Sequence, residues 1–176
     1  MKIAIIGAQG VGKTTLAQQI NKDYPQLKIL PEAARLAQKR GFKLDHTATV
    51  ETELWLINKQ IELEKGDDSW VADRCGIDLL AYIQYLFSQE IKLIEFATKT
   101  LVPKFSNYDL VIYLPSGEFA IEYDGLRTTD IKFQKDIDNQ IRDILEKYKI
   151  QFIKIIGSPK ERLVKVKKIL NKNPLL

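Results

Sequence analysis

A short segment near the N-terminus has the residue types and the spacing of a phosphate-binding loop. The segment reads Gly7-Ala8-Gln9-Gly10-Val11-Gly12-Lys13-Thr14 and fits G-x-x-x-x-G-K-[ST] at every fixed position. Glycines let a backbone close around phosphate oxygens with its N–H groups pointing inward, and the start of a following helix adds positive potential. A lysine in this place reaches the β and γ phosphates, and the next hydroxyl binds Mg²⁺. The sequence therefore predicts an ATP site with Mg²⁺, the alternative being a purely structural glycine turn. The residues expected to contact the nucleotide are Gly7, Gly10, Val11, Gly12, Lys13, Thr14 and Thr15.

A second pair of charged residues follows a short apolar run. Asp73 and Arg74 come directly after Trp70-Val71-Ala72. A phosphate-binding loop needs an acidic Mg²⁺ partner at the end of a neighbouring strand, so we expect Asp73 to join Thr14 in holding the metal. The alternative is that Asp73 caps a helix beginning near Cys75. Arg74 is expected to clamp an anionic group of the substrate, or else to be a surface cation.

Strand-length apolar runs alternate with helix-period stretches over the whole chain. This alternation predicts an α/β domain of three layers with a five-stranded parallel sheet. Expected strands are 2–6, 28–30, 70–73, 109–114 and 151–156. Expected helices are 13–22, 32–40, 50–65, 76–88, 90–104, 130–148 and 159–172, with a loop at 41–49. In the third helix, Leu54, Ile57 and Ile61 are predicted to form the buried face.

Length and composition limit the number of domains and exclude several classes of protein and metal site. The chain has 176 residues, of which 45% are apolar and 28% charged, so a single folded domain spanning 1–176 is expected. One cysteine and one histidine exclude a disulfide framework and a Cys/His zinc cluster. No apolar run approaches the roughly 18 residues of a membrane span, so the protein is expected to be cytoplasmic. It is expected to be a monomer or a homodimer. The net charge is +4, and the basic residues near the C-terminus are expected on the solvated face of the last helix, with a nucleic-acid contact as the alternative.

The residues after the fourth strand narrow the class of nucleotide-binding protein. There is no N-K-x-D guanine motif after Leu114, and 176 residues are too few for a large motor ATPase. A small-molecule kinase fits this size and needs a lid that brings cations to the phosphates. The segment 122–132 contains an Asp-Gly turn followed by Arg127, so it predicts a mobile lid at about 118–135 with Arg127 acting in catalysis. The alternative is a surface turn with a solvated Arg127.

The motifs described above, together with three further segments, resemble those of a known family. The run from Tyr123 to Arg127, the Phe152-Ile153-Lys154 strand and the helix beginning before Arg162 look like the nicotinamide-riboside kinase domain of NadR-type proteins. The phosphate loop and the strand ending in Asp73 match small AAA-type ATP-binding proteins, and Asp73-Arg74 is similar to thymidylate and deoxynucleoside kinases. The resemblance covers residues 1–172. It implies the nucleoside and nucleotide kinase fold with strand order 2-3-1-4-5, and ATP-dependent transfer of a phosphoryl group to a small nucleoside-like or nucleotide acceptor.

The resemblance also implies roles for single residues. Glu32 resembles the carboxylate that takes the acceptor proton, although a first-turn helix acid is the alternative. Arg35 lies one turn further on and is expected to contact substrate. Trp55 is expected either to stack on the acceptor or to belong to the core. Ser158 and Pro159 stand where the loop lies against adenine. A switch NTPase acting on a protein and a polynucleotide 5′-end kinase remain the alternative functions.

Overall fold

The computed structural model describes residues 1–66, 68–118 and 129–172. Its strands are β1 (Lys2–Ile6), β2 (Lys28–Leu30), β3 (Trp70–Asp73), β4 (Leu110–Tyr113) and β5 (Ile153–Lys154). Its α-helices are α1 (Lys13–Asp23), α2 (Ala33–Lys39), α3 (Val50–Leu63), α4 (Gly76–Leu86), α5 (Ile91–Leu101), α6 (Ile131–Lys147) and α7 (Pro159–Leu170). Short 3-10 turns occupy Asp45–Thr47 and Val102–Asn107.

The strands form one parallel sheet in the order β2-β3-β1-β4-β5, which confirms the predicted order. β1 is central and pairs with β3 on one side and β4 on the other. The register places Ile5 of β1 beside Asp73 of β3. Because the carboxyl ends of parallel strands meet at one edge, the loop after β1 and the end of β3 are brought together there.

The sheet is covered on both faces, as the central strand shows most clearly. Ile3 and Ile5 belong to a buried cluster that includes residues of α1 and α7. Ala4 and Ile6 belong to a second buried cluster, built largely with α4, α5 and α6. Since successive strand residues point to opposite faces, a continuous apolar β1 supplies both cores. The predicted three layers are confirmed.

Two elements are at least three residues shorter than the sequence predicts. β5 has two residues rather than six, because it lies at the sheet edge with β4 as its neighbour, and Ile153 and Lys154 are exposed. α5 ends at Leu101 and continues as a 3-10 turn that contains Pro103. Proline has no N–H to continue an α-helix and clashes with the preceding turn.

The buried face of α3 also differs from the prediction. Leu54 is 37% exposed, whereas Glu53, Leu56, Ile57 and Gln60 are buried. The inner face of this helix therefore carries polar side chains that an apolar pattern does not reveal. Among the described residues, no helix combines the length and apolar character needed to cross a membrane.

Candidate nucleotide and acceptor site

The loop between β1 and α1 has the backbone geometry of an anion cradle. Gly10 and Gly12 adopt positive φ angles of 73° and 86°, a region that non-glycine residues rarely enter. A Cβ on Gly7 would lie 2.4 Å from the carbonyl oxygen of Leu114, so no larger residue fits there. No described side chain caps α1, and the first N–H groups of a helix have no intrahelical partner. They remain available for phosphate oxygens, so this loop fits a nucleotide.

Lys13 is folded against the same loop. Its Nζ donates hydrogen bonds to the carbonyl oxygens of Gly7 (2.9 Å) and Ala8 (2.6 Å), and the side chain is buried. Burial, with a further contribution from the Arg74 guanidinium, lowers the pKa of Lys13 to about 8. A buried ammonium with lowered pKa gains strongly from a neighbouring phosphate, which favours its charged form.

Thr14 and Asp73 form the predicted pair across the β1–β3 register. The Thr14 hydroxyl donates to Asp73 Oδ2 at 2.5 Å. Helix α4 is capped by Cys75 together with Asp78, so Asp73 is not its cap. A hydroxyl and a carboxylate are hard oxygen donors of the kind that Mg²⁺ prefers beside nucleotide phosphates. The two side chains fit this metal.

Three side chains that sequence reasoning missed hold the phosphate loop in place. Asp78 accepts the Gly7 N–H at 3.0 Å. Gln134 donates through Nε2 to the Gln9 carbonyl oxygen at 2.7 Å, and the Tyr82 hydroxyl donates to Gln9 Oε1 at 2.9 Å. The detectable signal for Asp78 was a carboxylate in the first turn of an otherwise apolar helix. Tyr82 could only be read as core, because its ring follows the buried face of α4.

Arg162 corrects the expectation that the C-terminal basic residues form a solvated face. Only 2% of this residue is exposed. Its Nη1 donates to the Val11 carbonyl oxygen at 2.6 Å, and its Nε donates to the Gly157 carbonyl oxygen at 2.8 Å. The guanidinium therefore ties the phosphate loop to the loop between β5 and α7. The neighbouring Lys165 is exposed, as predicted.

Arg74 is buried, so the surface-cation alternative is wrong. Its Nε donates to Glu32 Oε1 at 2.8 Å, and its Nη1 lies 3.8 Å from Asp78 Oδ1. Its φ of 77° is unusual for a residue with a side chain. Glu32 precedes α2 but makes no side-chain cap; its carboxylate instead meets Arg74 and, at 3.3 Å, Arg35 Nε. The structure thus brings together Glu32, Arg35 and Arg74, three predicted residues from two separate segments of the chain.

A cleft beside this cluster contains about 450 Å³ of empty space, part of which is open solvent. Its wall is formed by residues of α2, α3 and α4 and of the turn before α3. The polar lining residues are Glu32, Asp45, Glu53, Gln60, Arg74, Asp78 and Tyr82. The apolar ones are Ala33, Ala34, Leu44, Leu56, Cys75, Leu79 and Leu86. The pocket therefore offers a small ligand apolar surface together with charged groups near the phosphate loop.

Trp55 is not brought to this pocket. Its ring packs on Phe42, with 5.2 Å between centroids, and the Arg40 guanidinium lies 5.3 Å from it. Trp55 therefore belongs to a small satellite core, which was the alternative to stacking on the acceptor.

Other predicted residues lie at the start of α7 or outside the described residues. Ser158 caps α7 in a reciprocal arrangement with Glu161, and Pro159 is the first residue of that helix. Arg127 lies outside the described residues. Of the expected lid at 118–135, residues 131–135 are the first turns of α6, where Phe133 and Gln134 are buried.

Comparison with known proteins agrees with this geometry. Residues 2–162 match the model of an AAA domain family, and the chain belongs to that family. No curated protein matches the sequence significantly.

Solved structures share the fold. A deoxyadenosine kinase from M. mycoides with bound dATP matches with a TM-score of 0.71 and 19% identity, over 97% of this chain and 100% of that chain. The NadR protein in complex with NR matches with a TM-score of 0.79 and 14% identity, over 99% of this chain and 51% of that chain. NadR in complex with NAD and AMP-PNP gives a TM-score of 0.72 at 12% identity. This chain therefore spans about half the length of NadR, and its fold is that of these P-loop kinases.

Proposed function

We propose that this protein is an ATP-dependent kinase that transfers the γ-phosphoryl group to a hydroxyl of a small nucleoside-like or nucleotide acceptor. The main support for this proposal is that one side chain connects the phosphate loop with the wall of the pocket. Asp78 accepts the Gly7 N–H of the phosphate loop and also lines the acceptor pocket, 3.8 Å from Arg74. A group bound in the pocket would thus lie next to a nucleotide on the loop. The structurally similar deoxyadenosine kinase binds dATP and NadR binds NR, which supports the same substrate class.

In the proposed reaction an acceptor oxygen forms a bond to the γ phosphorus while the bond from that phosphorus to the β–γ bridging oxygen breaks. ADP leaves, and the acceptor proton passes to the Glu32 carboxylate. The Arg74 Nε at 2.8 Å holds that carboxylate in place, so Arg74 orients the base as well as adding positive charge. Phosphoryl transfer depends chiefly on positioning and charge stabilisation. Lys13 and the N–H groups at the start of α1 supply charge stabilisation on the phosphate side.

Thr14 and Asp73 would hold Mg²⁺, which supplies charge neutralisation at the phosphates. Ser158 and Pro159 are proposed to stand against adenine, and Arg127 to act from the lid. Arg35, 40% exposed and linked to Glu32, is proposed as a contact for the acceptor.

A product screen tests the proposal directly. The protein is incubated with Mg·ATP and a panel of ribonucleosides, deoxyribonucleosides, their monophosphates, nicotinamide riboside and a 5′-hydroxyl oligonucleotide, and products are read by mass spectrometry. Gain of one phosphate on a small acceptor supports the kinase. Slow release of ADP with no phosphorylated acceptor would overturn it in favour of an NTPase switch, and phosphate on the oligonucleotide alone would indicate an end kinase. The Lys13→Ala variant controls for a contaminating kinase.

A further inference from the structure

A buried side chain of the phosphate loop has a hydrogen-bond donor without a partner. Gln9 is 2% exposed, and its Nε2 has no hydrogen-bond partner among the described residues. The rest of the residue is held in place. Its backbone carbonyl oxygen accepts from Gln134 Nε2 at 2.7 Å, and its Oε1 accepts from the Tyr82 hydroxyl at 2.9 Å. A buried donor left unpaired destabilises a fold, so this position favours a ligand that accepts a hydrogen bond.

The orientation of the Gln9 amide follows from a neighbouring arginine. Arg74 Nη2 donates to Tyr82 Oη at 3.3 Å, and the guanidinium carbon lies 5.0 Å from the centre of the Tyr82 ring. Because a guanidinium only donates, Tyr82 accepts this hydrogen and has its own proton left for another acceptor. That acceptor is Gln9 Oε1, since an amide nitrogen does not accept hydrogen bonds. The amide nitrogen is therefore the end of Gln9 that is left for a ligand.

The Gln9 amide lies where the two proposed substrates would meet. Gln9 precedes Gly10 in the loop that has the geometry of an anion cradle. The Lys13 ammonium, expected to reach the β and γ phosphates, bonds the carbonyl oxygen of the preceding residue, Ala8. Tyr82, which the amide contacts, lines the proposed acceptor pocket. In a kinase the part of ATP that faces the acceptor is the γ-phosphoryl group, and its anionic oxygens accept hydrogen bonds.

We infer that Gln9 is a further catalytic residue whose Nε2 donates a hydrogen bond to an oxygen of the γ-phosphoryl group, and that Tyr82 is a positioning residue that keeps the amide in this orientation. The inference rests on the proposed kinase function and adds a contact to the group that is transferred. During phosphoryl transfer, negative charge is spread over the three equatorial oxygens of that group. A donor that is oriented before the reaction stabilises this charge without reorganising.

Nucleotide binding in the absence of an acceptor tests the contact. Calorimetry with Mg·AMP-PNP and Mg·ADP compares a nucleotide that has a γ-phosphoryl group with one that lacks it. Gln9→Met keeps a side chain of similar length but removes the amide. The affinity for Mg·AMP-PNP should then fall by about tenfold or more, the effect of one hydrogen bond to a charged group. The affinity for Mg·ADP should stay near the wild-type value.

Gln9→Glu separates the loss of a donor from the loss of packing. Glutamate is closer to glutamine in shape than methionine is, and it keeps an oxygen that can accept from Tyr82. A carboxylate cannot donate, however, and it repels phosphate. The affinity for Mg·AMP-PNP should therefore fall further in Gln9→Glu than in Gln9→Met. A purely structural role for Gln9 predicts the opposite order.

Tyr82→Phe tests the positioning role. Without the hydroxyl, the Gln9 amide is free to turn its oxygen toward the phosphate, so the affinity for Mg·AMP-PNP should fall more than that for Mg·ADP. In a Gln9→Met background the same substitution should add little, because Tyr82 acts through the amide. Tyr85→Phe is the matched control. Both tyrosines lie on α4 and pack on Phe133, but the Tyr85 hydroxyl donates to Asp136, so both affinities should stay near wild type in that variant.

The outcomes separate this inference from the function on which it rests. Binding of neither nucleotide to the wild-type protein, or no phosphorylated acceptor in the product screen, overturns the kinase proposal itself. Equal losses of affinity for Mg·AMP-PNP and Mg·ADP in Gln9→Met, or no loss of either, overturn the inference alone. A rise in the KM for the acceptor with unchanged nucleotide binding also overturns it, because the amide would then contact the acceptor. If circular dichroism shows that neither Gln9 variant folds, Tyr82→Phe takes their place, and an unchanged ratio of the two affinities would refute the inference.

Discussion

Replacing Arg162 should weaken both the fold and the nucleotide site, and this residue gives the most quantitative test of the structure. Its guanidinium joins the Val11 and Gly157 carbonyl oxygens at 2.6 and 2.8 Å. In Arg162→Lys the single ammonium cannot keep both bonds of a planar fork. One hydrogen bond to a charged group contributes about 1.5–3 kcal/mol, so the free energy of unfolding should fall by about 2 kcal/mol. For a chain of this length that corresponds to a Tm lower by about 4–8 °C.

The expected kinetic effect is mainly on the KM for ATP. The guanidinium joins the phosphate loop to the loop proposed to lie against adenine, so its loss should raise KM for ATP more than it lowers kcat. Thermal unfolding and steady-state kinetics with varied ATP measure the two effects.

Lys165→Met is the matched control. Its Nζ also donates to a backbone carbonyl oxygen, that of Ile156 at 2.8 Å, but from an exposed side chain of the same helix. Both Tm and KM should stay near wild type in that variant. If Arg162→Lys behaves like this control, the guanidinium does not tie the two loops together and the reasoning fails.

Four further perturbations address the reacting groups. Lys13→Ala should lower turnover by orders of magnitude while circular dichroism stays native; normal turnover would refute the phosphate-loop assignment. Because burial, aided by Arg74, lowers the pKa of Lys13 from 10.5 to about 8, the unfolded chain binds more protons between these values, so the free energy of unfolding should rise with pH across that window. Phosphate favours the ammonium, so ATP affinity, measured by calorimetry, should fall as pH rises through about 8; a flat profile would contradict this. Glu32→Gln should lower kcat by about 10²–10⁴-fold with little change in KM for ATP if Glu32 is the base, and a small loss would leave Glu32 only as the partner of Arg74. Arg127→Ala should depress kcat more than ATP affinity, and equal losses would mark Arg127 as a ground-state contact.

The sheet and the phosphate loop could be predicted because their signals are local. A buried strand followed by a glycine-rich loop and a helix has one compact solution, and alternation of strands and helices leads to a parallel sheet. The pairing of Thr14 with Asp73 could be predicted for a related reason. Thr14 lies at the start of the helix after one strand and Asp73 ends another, and strand ends of a parallel sheet share one edge.

The proposed acceptor pocket could not be predicted from the sequence in the same way. An apolar pattern placed Leu54 on the inner face of α3, but that face carries Glu53 and Gln60. Buried polar groups are tolerated where partners satisfy them. Gln60 donates to Glu64 four residues further on, and Glu64 in turn accepts from Tyr108, which lies 44 residues away in the sequence.

The sequence by itself therefore determined the layers, the number of strands and the glycine-rich loop after β1 that has the geometry of an anion cradle. The tertiary structure alone decided that Arg162 leaves the basic surface to bond the Val11 carbonyl oxygen 151 residues away. It also decided that Arg74 pairs with Glu32 inside the pocket and that Trp55 does not enter it. The physical reason is that local propensity and periodicity report one element at a time, whereas the burial and pairing of a charge depend on which elements the fold brings into contact.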